Sequence, residues 1–168
     1  LQGGSVALPA PLQGQYAFMT VVEHQESDVT ADSGDNDLAA NAQSITVPAE
    51  VAGQFYPRRD MDWFQFQATK GEVFLLSVAT DQLGTNADPV LRVVHRKMVD
   101  GKPQLRDIAT VDDLEPRPKS RDSRRFFSGS VDCVHQLRIP ETGTYLACVV
   151  DNYNTVQDDP RLVYQLSI

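Results

Sequence analysis

A chain of 168 residues with a formal net charge of -8 has the size of one ordinary domain plus, at most, an attached segment. Its 41% apolar and 23% charged residues exclude wholesale disorder, and the acidic balance speaks against nucleic-acid binding. No apolar run approaches the ~20 residues of a membrane span.

The chain begins at Leu1 with neither an initiator Met nor a signal-peptide pattern, which reads as a piece of something longer. Residues 1–30 contain Gly3-Gly4, Pro9 and Pro11 and read as a leader or linker, with one weak candidate strand at Tyr16–Glu23. Glu23 to Asp37 holds six acids and no Lys or Arg. Asp37 to Gln43 has room for one helical turn, and Ser44–Val47 and Val51–Phe55 are short candidate strands. In Trp63 to Ala68, Phe64, Phe66 and Ala68 share one face and Trp63, Gln65 and Gln67 the other, the pattern of a half-buried strand. Lys70-Gly71-Glu72 breaks it, and Val73 to Ala79 resumes with Phe74, Leu76 and Val78 on one side.

Leu91 to Val99 ends at Asp100-Gly101, a strong hairpin dipeptide, and Leu105–Val111 is its candidate partner. Residues 112–130 are polar and read as a long loop; residues 92–125 hold ten of the fifteen basic residues. Val131–Ile139, the alternating Tyr145, Ala147 and Val149, and the alternating Leu162, Tyr164, Leu166 and Ile168 complete the strands. Roughly eight to ten short strands, with no amphipathic helix to serve as a crossover, predict an antiparallel β-sandwich or barrel.

Hydrolytic chemistry finds little support. There is no Gly-x-Ser-x-Gly elbow, and His24, His95 and His135 lack zinc-ligand spacing. The adjacent acids Asp112-Asp113 and Asp158-Asp159 point to opposite faces on a strand and are solvated on a loop. The reading is therefore non-enzymatic. Cys133 and Cys148 form either a disulfide or two separate thiols. A simple hairpin about Glu141-Thr142 sets Cys148 opposite a residue near His135, so a bridge requires a bulge or another register. For ligand contact, Tyr153 is the best exposed aromatic candidate, and Arg121 and Arg124 in the basic loop suit an acidic polymer or a neighbouring domain. Trp63 and Phe55 are expected in the core.

The order of several motifs resembles a known family. They are Asn36-Asp37; Val47-Pro48 to Gly53; Arg59-Asp60-Met61-Asp62-Trp63-Phe64; Lys70-Gly71-Glu72; Leu83-Gly84 with Asp88-Pro89-Val90-Leu91; Pro140 to Tyr145; and the closing Tyr164 to Ile168. Over residues 31–168 this is similar to the bacterial pre-peptidase C-terminal (PPC-like) domain, in the form found in large exported proteins of planctomycete-type bacteria. The resemblance implies a jelly-roll-like β-sandwich and a non-catalytic, extracytoplasmic accessory module of a larger protein. Such a module binds or positions through contacts with neighbouring domains, the cell surface or a polysaccharide or matrix polymer. A spacer that assists folding or secretion and a calcium-stabilised carbohydrate- or matrix-binding module are the alternatives. The resemblance also implies a candidate calcium set: Asn36, Asp37, Asp60 and Asp62 match the ligand positions of calcium-binding relatives, and Asp32 and Asp35 lie beside Gly34, where a Glu is expected. These acids do not form an EF-hand loop.

Overall fold

The computed structural model describes residues 29–112, 130–153 and 159–168. The candidate strand at Tyr16–Glu23, most of the leader, and Arg121 and Arg124 lie outside the described residues. Ten strands are described: β1 (Val29–Ala31), β2 (Gln43–Ser44), β3 (Glu50–Gln54), β4 (Asp62–Ala68), β5 (Val73–Ala79), β6 (Pro89–Val99), β7 (Lys102–Val111), β8 (Cys133–Arg138), β9 (Gly143–Asp151) and β10 (Val163–Ser167). They form two five-stranded sheets, β1-β3-β10-β5-β8 and β2-β4-β9-β6-β7. The expected all-β sandwich is therefore present. The body of each sheet is antiparallel, and the two shortest strands join in parallel, β1 on β3 and β2 on β4.

Period-two alternation builds the core. Phe64 and Phe66 of β4, Leu76 and Val78 of β5, Tyr145, Ala147 and Val149 of β9, and Tyr164 and Leu166 of β10 are buried between the sheets. At Asp100-Gly101 both residues take positive φ, 50° and 73°, which matches the twist of the β6–β7 hairpin. Pro89 opens β6, where a missing N–H breaks no ladder bond.

The Pro140–Gly143 turn is not the centre of a hairpin. Strand β8 pairs with β5 in the first sheet and β9 pairs with β4 and β6 in the second, so the chain changes sheets here. The disulfide alternative fails for the same reason: the two cysteines stand on different sheets and no disulfide joins them. Cys133 faces the core, with its thiol 2.9 Å from the Pro89 carbonyl oxygen. Cys148 points out of the opposite side of the second sheet.

Gly53 is needed for close approach. It pairs with Tyr164 across the β3–β10 ladder, and a Cβ there would stand 2.4 Å from the Tyr164 ring. The ring lies across the bare backbone, and its hydroxyl reaches Asp62 on the other sheet. Gly53→Ala must push a fully buried ring aside, and overpacking of this kind costs about 1–3 kcal/mol. A chemical-denaturation midpoint within error of wild type would contradict this placement of Tyr164.

Candidate cation site

The acidic residues meet where the chain passes from one sheet to the other. Asp32 follows β1, Asn36 and Asp37 lie on the connection from β1 to β2, Asp60 precedes β4, and Asp62 is its first residue. Carboxylate oxygens of Asp37, Asp60 and Asp62 lie within 4.8 Å of one another. Asp32 joins them by side-chain contacts to Asn36 and Asp62. Backbone bonds hold the frame: Asp32 N donates to Ala52 O at 2.9 Å, and Trp63 N donates to Asn36 O at 3.0 Å. A turn at Pro57–Asp60, with Asp60 N donating to Pro57 O, brings the Asp60 carboxylate back to accept from Tyr56 N at 2.9 Å.

Three oxygens in this cluster, Asp32 Oδ1, Asn36 Oδ1 and Asp62 Oδ1, are buried without a hydrogen-bond partner. Asn36 and Asp62 are almost completely buried. Burial, followed by the Asp32 and Asp60 charges, pushes the Asp62 carboxyl up to about 9. Burial and the neighbouring Asp37 and Asp32 charges outweigh the Tyr56 N–H and push Asp60 up to about 7. Asp32 is raised mainly by burial. Tyr164, buried and beside the negative cluster, is held well above its ordinary pKa, so it remains the donor of a 2.6 Å hydrogen bond to Asp62 Oδ2.

Asp132 provides a contrast. It is also buried, but it accepts from Thr80 N at 2.7 Å, Asp81 N at 2.8 Å and Gln82 Nε2 at 2.9 Å. Burial opposes its charge; the donors overcome burial and lower its pKa. Asp132 is a satisfied cap on the Asp81–Leu83 turn, whereas the other cluster presents oxygens that lack donors. Sequence reading missed Asp132 because its donors lie about fifty residues away.

Of the six residues expected as ligands, five converge. Asp35 is exposed and is not among the grouped carboxylates. Tyr153 is exposed as expected, in the turn that follows β9. Trp63 is buried, although on the outer face of the second sheet rather than between the sheets. His95 is buried and stacks on Tyr145, with ring centroids 4.6 Å apart. Among the described residues no helix is long and apolar enough to cross a membrane.

Comparison with known proteins gives several structural likenesses, of which two are described. The chain is similar to the pre-peptidase C-terminal domain of a collagenase from Bacillus anthracis, at 14% identity over 75% of this chain and 92% of that one, with a TM-score of 0.49. It is also similar to CorA, a surface-associated copper-binding protein important in Methylomicrobium album BG8 copper acquisition, at 9% identity over 75% of this chain and 96% of that one, with a TM-score of 0.44. No family model matches the sequence, and no curated protein matches it.

Proposed function

We propose that this chain is a non-catalytic, extracytoplasmic accessory module whose β-sandwich is locked by a calcium ion held by Asp32, Asn36, Asp37, Asp60 and Asp62. The observation that carries the reading is the set of buried oxygens without donors, Asp32 Oδ1, Asn36 Oδ1 and Asp62 Oδ1, gathered beside two further carboxylates. Calcium takes six to eight hard oxygen ligands in flexible geometry, and carboxylates with an amide oxygen are such ligands. A soft ion such as Cu(I) selects thiolate or thioether ligands, and the cluster has neither. Bound there, a cation neutralises carboxylates that otherwise repel one another and ties the end of β1 to the start of β4. β1 is thereby fixed against the sandwich, a positioning role suited to an accessory module.

Thermal melting of chelator-treated protein, with and without millimolar calcium, tests this. A ligand at a hundred times its Kd stabilises by about 2.7 kcal/mol. In a domain of this size that is a rise in Tm of roughly 5–10 °C. Asp60→Asn is expected to abolish the rise. No calorimetric heat and no shift in wild type would remove the cation, leaving a spacer role.

A further inference from the structure

The outer face of the second sheet carries an apolar patch where solvent-facing residues are expected. Trp63 (6% exposed), Cys148 (4%), Val94 and Leu146 cluster there with Ala42, away from the core between the sheets. What covers them is the connection from β1 to β2, which crosses the sheet on this side and packs Ala39 and Ala42 onto the patch. Arg92 also lies over the Trp63 ring, at 5.9 Å from the centroid.

This strap has few fastenings. It contributes only two alanine side chains to the patch, and Leu38 is 60% exposed. The Ala39–Asn41 turn has no side-chain cap. At the far end, Arg96 donates to Ala39 O and, at 2.7 Å, to Gln65 Oε1, and β2 contributes only a two-residue ladder. At the near end, Asn36 O accepts from Trp63 N at 3.0 Å, Asn36 Nδ2 donates to Trp63 O at 3.3 Å, and Asp37 lies in the carboxylate cluster. Asn36 and Asp37 of the near fastening belong to the cation site itself, and Gln43 closes the base of the strap, its Oε1 accepting from Ser33 N at 2.9 Å and its Nε2 donating to Ala31 O at 3.0 Å.

We propose that the strap over residues 33–42 is latched by the cation, and that losing the cation lifts it and uncovers Trp63 and Cys148 while the sandwich stays folded. The inference rests on the cation reading above. Without a cation, Asp37 faces Asp60 and Asp62 across a few ångströms and Asn36 Oδ1 and Asp62 Oδ1 stay buried without donors, a cost that falls on a segment that buries little apolar surface. Segments with few buried contacts open first and at lower free energy than the core. The core beneath holds Phe64, Phe66, Leu76, Tyr145 and Leu166 and does not depend on the strap.

Two built-in reporters make the test direct. Trp63 is the sole tryptophan, and the second cysteine, Cys133, is buried in the core as an internal control. Under the strap, burial pushes the Cys148 thiol up to about 12, so alkylation is slow while it is covered. The 168-residue chain is treated with iodoacetamide in calcium and in chelator, and labelling of each cysteine is followed by peptide mass spectrometry, alongside Trp63 emission, circular dichroism and calcium calorimetry.

The expected result is at least a tenfold rise in Cys148 labelling in chelator, with red-shifted emission, unlabelled Cys133 and retained β-sheet signal. Arg96→Ala, which frees the far end, is expected to speed Cys148 labelling in calcium while calcium heat persists. Calcium heat with unchanged labelling and emission overturns the latch and leaves the cation site standing. No calcium heat removes the site and the latch with it. Equal labelling of both cysteines with loss of the sheet signal also overturns the latch, because the strap then has no opening separate from unfolding.

Discussion

Asp62→Asn is expected to make the cation-free protein more stable at pH 8 and, in the same variant, to abolish stabilisation by calcium. The folded chain holds the Asp62 proton up to about 9 and the Asp60 proton up to about 7, whereas both leave the unfolded chain near 3.8. Between those limits the native state binds more protons than the unfolded state, so stability falls as pH rises. The contribution of these two groups is complete below about pH 4, is lost for Asp60 by about 7 and for Asp62 by about 9. Each unit of difference is worth about 1.4 kcal/mol, which puts the cost of keeping Asp62 in the fold at pH 8 on the order of several kcal/mol. An amide has no proton to lose, and its oxygen can still accept from Tyr164. In chelator, the variant should therefore exceed wild type at pH 8 and match it near pH 4. In millimolar calcium the gap at pH 8 should narrow by about 2.7 kcal/mol, because wild type alone gains from the ion. Denaturation curves at the two pH values, each with chelator and with calcium, give all four comparisons. Equal pH dependence in the two proteins, or a preserved calcium response in the variant, would sink this account of the cluster.

The same residues show what a sequence can reveal. Strands β5 and β10 were legible because one face of each is the more buried, so alternation of Leu166 with Gln165 records the burial; β4 and β9 alternate at Phe64 and Phe66 and at Tyr145, Ala147 and Val149, but Trp63, Leu146 and Cys148 are buried on their other face. Of the two parallel edges, β1 was not legible, and the strand expected at Ser44–Val47 shares only Ser44 with β2; at three and two residues they are too short for a period-two pattern. The Pro140–Gly143 turn was legible as a turn, but its residues do not distinguish a hairpin from a change of sheet. Trp63 was correctly grouped with Gln65 and Gln67, yet period two cannot show that a distant strap covers that face. Asp60 and Asp62 lie more than twenty residues after Asp32, Asn36 and Asp37, and only the pairing of β1 with β3 and the turn ahead of β4 bring them together. Asp35, adjacent in sequence to the ligands, stands exposed because the backbone turns Asn36 inward to bind Trp63.

Phe66→Ala is expected to cost more stability than Gly53→Ala or the loss of any strap contact. Phe66 is 2% exposed and joins the two layers: its ring meets Phe74 of the first sheet edge-on at 5.7 Å and lies 6.1 Å from Tyr145 of its own sheet. Tyr145 in turn stacks on His95 and donates to Glu141 O at 2.8 Å, so it is held by partners on two sides. A ring clamped in this way leaves little freedom for its neighbours to close the gap left by Phe66. Truncation of a buried Phe costs about 3–5 kcal/mol when the cavity persists. For a domain of this length that lowers Tm by roughly ten degrees or more. Leu75→Ala is the matched control: Leu75 lies on the same strand as Phe74 but is 62% exposed, and its loss should stay within about 0.5 kcal/mol. Measured by urea denaturation in calcium, with the strap closed in both variants, the difference isolates the interior between the sheets. A Phe66→Ala loss no larger than that of Leu75→Ala would mean that the two layers do not close over this ring.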